Sequence, residues 1–256
     1  MGNNNKDNID LTIVLATLNE IENLPILVNR LSNVLQNIKT SYQLLFVDDN
    51  STDGTKEFII DYCSKNPPSK YIFNKTKRST LIARSQGIQK SNGKYIIIMD
   101  ADLQHPPEYV ANIYNALLKG YDIVIASRYI KGGSTGKREP ERGIISRGAS
   151  TLAKIFLKSS RYITDPVSCF LGFKNNLNLE IDNGWKGYEI GIFLRASNTK
   201  AKVKEIPYVF ANREKGKSKV TSSFNFIRIY LIELLHAKKV ERKSYALSRA
   251  KKNNNA

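Results

Sequence analysis

The amino-acid sequence predicts an α/β fold with a mostly parallel sheet, and three observations support this prediction. Short apolar runs rich in Ile and Val recur in the first half of the chain, at residues 11–16, 44–49, 94–100 and 122–127. Each run is continuous rather than alternating, which is typical of strands buried on both faces of a parallel sheet. Stretches with helical spacing lie between the runs, and strand alternating with helix is the pattern of this fold class.

Two of the intervening stretches show clear helical patterns. In residues 23–38, leucines recur at steps of three and four, at positions 24, 27, 31 and 35. Residues 106–120 open with two prolines, which suit a helix start, and end on Gly120, which suits a helix end. The chain is therefore predicted to carry helices against the faces of the sheet.

The second half of the chain has a different texture. Residues 129–148 are rich in Gly and charge, and this composition predicts a long loop. Residues 224–236 have polar groups at only a few positions, so we predict a helix that either packs on the domain or lies in a membrane interface. Residues 238–256 are predicted to form a frayed, solvated tail.

Composition and charge narrow the class of function. Forty Lys and Arg against 23 Asp and Glu give a net charge of +17, which predicts anionic partners without choosing among them. Part of this excess is concentrated between Arg213 and Lys252, where 12 basic residues face 3 acidic ones. No segment resembles a signal peptide or reaches the roughly 18 to 20 apolar residues of a membrane-spanning helix, so a cytoplasmic location is expected. Cys63 and Cys169 match no metal-ligand spacing and are expected to be reduced.

Polar side chains follow the predicted strands at the edge where such sheets collect their ligands. These residues are Asn19, Glu20, Asp48, Asp49, Asp100 and Asp102. The last two offer hard oxygen ligands suited to Mg²⁺ or Mn²⁺, and Gln104 can add a further oxygen. The alternative is that these acids only shape turns. A dinucleotide-binding Rossmann unit is disfavoured, because no G-x-G-x-x-G follows the first strand.

Several cations are candidates for holding phosphates, because guanidinium groups match phosphate oxygens two at a time. They are Arg128, Arg142, Arg147, Arg213 and Lys219. The alternative for each is a solvated surface cation. His105, next to a proline, is predicted to be a turn residue rather than a base.

Seven motifs occur in order along the chain from about Leu11 to Val220. They read LNEIENL, VDDNSTDGT, MDADLQHPPE, ASRYIKGG, DPVSCFLGFK, GYEIGI and EIPYVFANREKGKSK. Together they resemble family 2 of the inverting nucleotide-sugar glycosyltransferases, and within it the polyprenyl-phosphate sugar synthases of the dolichyl-phosphate mannose synthase type. The resemblance implies a GT-A type nucleotide-sugar-binding fold. It also implies a flexible N-terminus (1–10), a glycosyltransferase catalytic domain (11–222) and a C-terminal basic amphipathic helix with its tail (223–256).

The resemblance implies roles for individual residues. Asp102 and Gln104 would hold the divalent metal, Mg²⁺ or Mn²⁺. Asp102, Arg128 and Arg142 would be catalytic, with Arg147 as the alternative to Arg142. The nucleotide sugar would be bound by Ala16, Leu18, Glu20, Val47, Asp49, Asp100, Ala101, Asp102, Gln104, Arg128, Arg213 and Lys219. The family usually has Tyr where this chain has Leu18 and often Gly where it has Cys169, which leaves the choice of base open.

The implied reaction is the transfer of mannose from GDP-mannose to dolichyl or another polyprenyl phosphate, with inversion, at the cytoplasmic face of a membrane. UDP-glucose is the nearest alternative donor, and the resemblance leaves open a separate membrane-anchoring subunit. A nucleic-acid binding protein would explain the charge but not the acidic strand ends, which repel a phosphate backbone, so nucleic acid is not expected as a partner. A sugar-nucleotide binding module without activity is a further alternative, which the Asp102 and Gln104 pair disfavours.

Overall fold

Seven strands form one sheet in the part of the chain that the structure, a computed structural model, describes. The described residues are 9–76, 79–136, 140–180, 189–212 and 223–253. The strands are β1 (Leu11–Thr17), β2 (Tyr42–Asp48), β3 (Lys70–Phe73), β4 (Tyr95–Asp100), β5 (Ile123–Ser127), β6 (Leu171–Lys174) and β7 (Val203–Pro207). All four predicted strands are present, as β1, β2, β4 and β5.

The strand order creates a crevice at one edge of the sheet. The order is β3-β2-β1-β4-β6-β5-β7, and all neighbouring pairs are parallel except the two that involve β6. The mostly parallel sheet is therefore confirmed. The chain runs outward from β1 to β3 and then returns to the other side of β1 to form β4. Such a reversal opens a ligand crevice at the carboxyl ends of the strands.

Helices cover both faces of the sheet. They are α1 (Leu24–Ile38), α2 (Thr55–Lys65), α3 (Thr80–Lys90), α4 (Tyr109–Leu118), α5 (Pro140–Phe156), α6 (Ile190–Ser197) and α7 (Ser223–Asn253), with a short 3₁₀ turn at Lys158–Ser160. Helices α1, α2 and α4 pack on one face, and α3, α5, α6 and α7 pack on the other. In β4, Ile97 and Met99 face the first group whereas Ile96 and Ile98 face the second. This two-sided burial explains the continuous apolar runs.

The predicted loop over residues 129–148 is wrong in its second half, because α5 begins at Pro140. The helix buries Ala149 and Ala153, spaced by four, against the domain, and Leu157, directly after the helix, is buried in the same cluster. A buried face made largely of small residues carries a weak hydrophobic signal, so the composition of this segment alone predicts a loop.

The predicted frayed tail over residues 238–256 is also wrong as far as Asn253, because α7 continues to that residue, and residues 254–256 lie outside the described residues. Glu241 lies within this stretch and is 4% exposed. Its carboxylate accepts the backbone N–H groups of Lys158 and Ser159 at 3.1 and 2.7 Å. One face of the helix therefore packs on the domain, and the predicted boundary between residues 222 and 223 stays a prediction.

Candidate active site

The carboxyl ends of β1, β2 and β4 bring together residues that the sequence predicts for one site. In the ladder, Ala16 of β1 lies opposite Val47 of β2 and opposite Asp100 of β4. Asp49 directly follows β2, and Ala101 directly follows β4. The predicted convergence of strand ends is confirmed, and the roles of the residues stay predictions.

Each of these strand ends is followed by a residue with left-handed backbone. Asn19 follows β1 with φ of 52°, Asn50 follows β2 with φ of 71°, and Leu103 follows β4 with φ of 64°. Such conformations cost about 1–3 kcal/mol each and collect at functional sites, although Asn tolerates them better than Leu. Leu103 is thus the most strained of the three, and it lies between Asp102 and Gln104.

The two acids that end β2 differ in their surroundings. Asp48 accepts the hydroxyl of Thr17 at 3.0 Å and the backbone N–H of Ser51 at 2.9 Å, and the Ser51 hydroxyl also donates to it. Asp48 therefore shapes the turn. Asp49 accepts the side-chain amide of Asn74, at the end of β3, at 3.3 Å. Of the two acids, only Asp49 was predicted to bind the nucleotide, and this role stays a prediction.

The turn after β1 is tied to helix α2. The backbone N–H of Glu20 donates to the Thr55 hydroxyl at 2.9 Å, and the side-chain amide of Asn23 donates to Glu20 Oε2 at 2.7 Å. Leu18 is half-buried beside them. The predicted pocket residues Leu18 and Glu20 therefore lie on a braced turn.

Asp100 is held by two neighbours. Arg84 of α3, which is 3% exposed, donates from Nη2 to Asp100 Oδ1 at 2.6 Å. His105 Nδ1 accepts the backbone N–H of Asp100 at 3.0 Å. Burial lowers the pKa of His105, so the ring is neutral and carries its proton on Nε2. The prediction that His105 is a turn residue is confirmed.

The turn that carries the predicted metal ligands rests on aromatic rings. The His105 ring stacks on Phe170 at 4.9 Å between centroids, with Tyr208 and Phe210 edge-on. The backbone N–H of Gln104 donates to Asp102 Oδ1 at 3.1 Å. This packing fixes the direction in which the turn leaves β4.

Asp102 and Gln104 form a donor set that fits a hard divalent cation. A carboxylate and an amide oxygen are the ligand types that Mg²⁺ and Mn²⁺ accept, and such ions usually take their remaining ligands from water and substrate phosphates. In the described part of the chain, no three His, Cys, Asp or Glu side chains are grouped as a metal site.

Arg128, directly after β5, is clamped by Asp165. Arg128 donates to Asp165 from its backbone N–H at 3.1 Å, from Nε at 2.7 Å and from Nη2 at 2.7 Å. Its guanidinium also lies over the rings of Tyr129 and Phe210. Burial opposes the charge of Arg128, but the bonds to Asp165 raise its pKa. The Arg147 guanidinium lies over the ring of Tyr129, which Arg128 also contacts, at 5.9 Å from the ring centroid.

Three predicted cations cannot be placed in this way. The side chain of Arg142 and the whole of Arg213 and Lys219 lie outside the described residues. Their predicted contacts with phosphate stay predictions. Arg147, the alternative to Arg142, is exposed and lies near Arg128.

A buried polar chain that the sequence does not predict connects α7 to the crevice. Arg84 Nη1 donates to Cys169 Sγ at 3.0 Å, and the Cys169 thiol donates to Glu189 Oε2 at 3.3 Å. The backbone N–H of Glu189 donates to Glu233 Oε1, on α7, at 2.8 Å. Burial, and then the charge of Glu233, raise the pKa of Glu189 to about 8, and burial raises the pKa of the Cys169 thiol well above its usual range.

Sequence reasoning also missed Arg84, Asp165 and Glu205 as parts of the site. Asp165 lies in the DPVSCFLGFK motif and Glu205 in the motif that begins EIPYVF. The motifs could have drawn attention to both residues, but they assign neither of them a role. Arg84 lies in none of the motifs. It lies on α3, which packs on β1 and β2, and only the fold brings its side chain to Asp100 at the end of β4.

The second face of α7 is apolar and exposed. Ile227, Leu231 and Leu235 recur every four residues and are 45%, 36% and 59% exposed. Lys239 and Arg242 are also exposed farther along the helix. Of the described helices, none has a stretch long and apolar enough to cross a bilayer.

Comparison with known families assigns the chain. The model of Glycosyl transferase family 2 matches residues 12–179, which include the ends of β1, β2, β4 and β5. This chain belongs to glycosyl transferase family 2. The family assignment covers the turn with Asp102 and Gln104 as well as the Asp165 clamp.

Several relatives within the family are similar over most of this chain. Dolichol-phosphate mannosyltransferase of Pyrococcus furiosus is 34% identical over 221 residues, which cover 85% of this chain and 62% of that protein. The enzyme of the same name from Mycosarcoma maydis is 31% identical, over 84% of this chain and 75% of that protein. Polyprenol monophosphomannose synthase of Mycolicibacterium smegmatis is 29% identical, over 82% and 81%. The chain thus spans less than two thirds of the Pyrococcus protein.

Solved structures share the fold. The crystal structure of glucosyl-3-phosphoglycerate synthase from Mycobacterium tuberculosis, in complex with Mn²⁺, UDP-glucose and phosphoglyceric acid, superposes with a TM-score of 0.68. It is 16% identical and covers 90% of this chain and 80% of that chain. At this identity the likeness concerns the fold alone, and the predicted GT-A type fold is confirmed.

Proposed function

We propose that this chain transfers mannose from GDP-mannose to dolichyl or another polyprenyl phosphate. The observation that carries the proposal is the convergence of oxygen ligands and a fixed guanidinium on one crevice: Phe210 contacts both the His105 ring of the Asp102 turn and the Arg128 guanidinium. The names of the relatives supply the choice of mannose and of a polyprenyl acceptor.

Asp102 and Gln104 are proposed to hold Mg²⁺ or Mn²⁺ next to the donor diphosphate. When bound, the cation neutralises charge that develops on the leaving nucleoside diphosphate. Gln104 donates its backbone N–H to Asp102 Oδ1 at 3.1 Å, which ties the two residues of the turn together.

The cations are proposed to bind the phosphates of donor and acceptor. Arg128 is held rigidly by Asp165, so its guanidinium can stabilise charge without reorganising. Arg142, Arg213 and Lys219 are proposed to share this work. A phosphate monoester acceptor has a second pKa near about 6 and is largely ionised at neutral pH, so no strong protein base is required. In-line attack by its oxygen inverts the anomeric carbon.

The nucleotide is proposed to lie across the ends of β1, β2 and β4. Its proposed contacts are Ala16, Leu18, Glu20, Val47, Asp49, Asp100 and Ala101. The ladder that places Ala16 between Val47 and Asp100 supports a single pocket for these residues. Asp49 and Glu20 supply carboxylates that can accept hydrogen bonds from a base or ribose.

Attachment to the cytoplasmic face of a membrane is proposed to occur through α7. Ile227, Leu231 and Leu235 would enter the interface, and the basic residues farther along would meet anionic headgroups. A membrane-anchoring subunit is proposed as a further partner. Nucleic acid is not.

The test is an assay of transfer with defined substrates. Purified protein with Mn²⁺, a short polyprenyl phosphate and radiolabelled GDP-mannose should give a product that extracts into organic solvent. Label from UDP-glucose alone would identify the alternative donor. Absence of product with every sugar nucleotide would exclude the proposal.

A matched pair of acid variants tests the metal ligands. Asp102→Ala should abolish turnover with the fold intact. Asp61→Ala removes an exposed acid of α2 that pairs with Lys65, and it should leave turnover unchanged. Full activity of Asp102→Ala would remove Asp102 from the metal site.

A further inference from the structure

The Arg128 guanidinium donates from Nε and Nη2 to groups inside the protein, which uses three of its five N–H donors. Asp165, which is 0% exposed, takes the Nε and Nη2 groups, and the Ser146 hydroxyl takes Nη2 at 3.3 Å. Nη1 makes no hydrogen bond to any residue that the structure describes. The charges of Arg128 and Asp165 also offset each other at close range. Because Asp165 offsets its charge and fixes its orientation, Arg128 would contact a ligand chiefly through the two N–H groups of Nη1.

Asp165 is itself held from beneath. Glu205 of β7 accepts the backbone N–H groups of Thr164 and Asp165 at 3.0 Å each and the Thr164 hydroxyl at 2.7 Å. Arg195 of α6, which is buried, donates to the carbonyl oxygen of Pro166 at 2.9 Å. Residues from two other elements thus fix the turn at 164–166. The backbone that carries the Asp165 carboxylate is therefore held in place.

We propose that Asp165 is a positioning residue for the transfer reaction, with Glu205 as its support. Asp165 fixes the orientation of the Arg128 guanidinium so that Nη1 is presented to a phosphate oxygen of the substrates. The inference rests on the proposed function, because it assigns the Arg128 edge to that phosphate. It adds two carboxylates that bind neither metal nor substrate.

A positioning role and a purely structural role differ in what Asp165→Asn does. The amide keeps the size of the side chain, but its NH₂ group cannot accept a hydrogen bond, so one of the Nε and Nη2 bonds of Arg128 is lost. It also leaves the charge of Arg128 without its counter-ion. The freed cation still attracts phosphate but in the wrong orientation. We therefore expect kcat to fall about 10- to 100-fold, while KM for the polyprenyl phosphate stays the same or falls.

The experiment compares three variants in the transfer assay with saturating GDP-mannose and varied acceptor. Arg128→Ala should raise KM and lower kcat, whereas Asp165→Asn should lower kcat alone. Asp122→Asn is the matched control. Asp122 directly precedes β5, at the end opposite to Arg128, and it pairs with Lys174. It should behave as the unmodified protein. A rise in KM for Asp165→Asn equal to that for Arg128→Ala, or an unchanged kcat, would overturn the proposal.

Binding of inorganic diphosphate by calorimetry separates this inference from the proposed function. The unmodified protein and Asp165→Asn should bind diphosphate with similar Kd values, and Arg128→Ala should bind it several-fold more weakly. This result is expected even if no sugar nucleotide supports transfer. Equal Kd values for the unmodified protein and Arg128→Ala would contradict the inference. If Asp165→Asn does not fold, Glu205→Gln takes its place, with a smaller fall in kcat and the same unchanged KM.

Discussion

Arg84 donates a hydrogen bond of 2.6 Å to Asp100, so a buried residue of α3 fixes the first acid of the turn after β4. The other terminal nitrogen of Arg84, Nη1, donates to the Cys169 sulfur. Asp100 is thereby bonded to a side chain of α3. The pair sets the side-chain position of a residue that we propose to meet the nucleotide.

Arg84→Lys should weaken both the fold and the binding of the donor nucleotide. Lysine keeps the charge but cannot reach Asp100 and Cys169 together, so the free energy of unfolding should fall by about 1–3 kcal/mol, the usual worth of a charged hydrogen bond. The Kd for GDP with Mn²⁺ should rise about tenfold. Urea unfolding and calorimetry measure the two effects. An unchanged Kd would assign the pair to the fold alone.

Glu189 should give the unfolding free energy a distinctive pH dependence. Its pKa is raised to about 8 in the folded chain, chiefly by burial, against a value near 4.3 in an unfolded chain. Between these values the folded chain holds a proton that the unfolded chain has lost. The contribution to stability is complete below the lower pKa and is lost as pH rises through the higher one.

The comparison that isolates this effect is Glu189→Gln against Glu57→Gln, an exposed acid of α2. Urea unfolding between pH 5.5 and 8.5 should show a loss of stability in the unmodified protein and in Glu57→Gln, on the order of a few kcal/mol. Glu189→Gln should lose less. Identical slopes in all three proteins would contradict the raised pKa.

The elements that the sequence predicts are those with strong local patterns. Strands β1, β2, β4 and β5 are buried on both faces, which gives the continuous apolar runs that predict them. Helix α1 is buried along one stripe, which gives the leucine spacing that predicts it. Strand β6 escapes prediction because Gly172 interrupts it. A side chain at Gly172 would meet Ile113 Cγ2 at 2.4 Å, so packing against α4 excludes a larger residue there. Strand β7 reads VKEIP, with charges at an edge of the sheet.

The candidate site was predictable where its residues lie at strand ends. Asp102 and Gln104 follow β4 directly, so local order alone places them in the crevice. Asp165 and Glu205 could not be assigned, because their partnership with Arg128 depends on the antiparallel return of β6 and on β7. Glu189 and Glu233 are 44 residues apart and meet only through helix packing.

Native thiols should resist alkylation. Burial raises the pKa of Cys63 to about 11 and raises the pKa of Cys169 well above its usual range, so neither carries appreciable thiolate at pH 7.5. Iodoacetamide at that pH should label the native protein slowly and label both cysteines rapidly in urea. Intact mass spectrometry counts the adducts. Rapid labelling of Cys169 in the native protein would show that the contact with Arg84 lowers its pKa more than burial raises it.

Charges placed on the exposed stripe of α7 should release the protein from lipid. Leu231 and Leu235 are exposed on this helix while its opposite face packs on the domain. Leu231→Asp combined with Leu235→Asp adds two negative charges where we propose lipid contact, so sedimentation with vesicles that contain anionic lipid should fall at least about tenfold. The unfolding temperature should not change, because neither side chain is buried.

Leu247→Asp serves as the control, because Leu247 is 53% exposed on the same helix about three turns beyond Leu235. It adds the same kind of charge outside the stripe and should reduce sedimentation only slightly. High salt should weaken binding of the unmodified protein and of the control, since screening removes the attraction of the basic residues but not the apolar contact. Equal losses from the stripe variant and the control would show that net charge, rather than the apolar face of α7, attaches the protein.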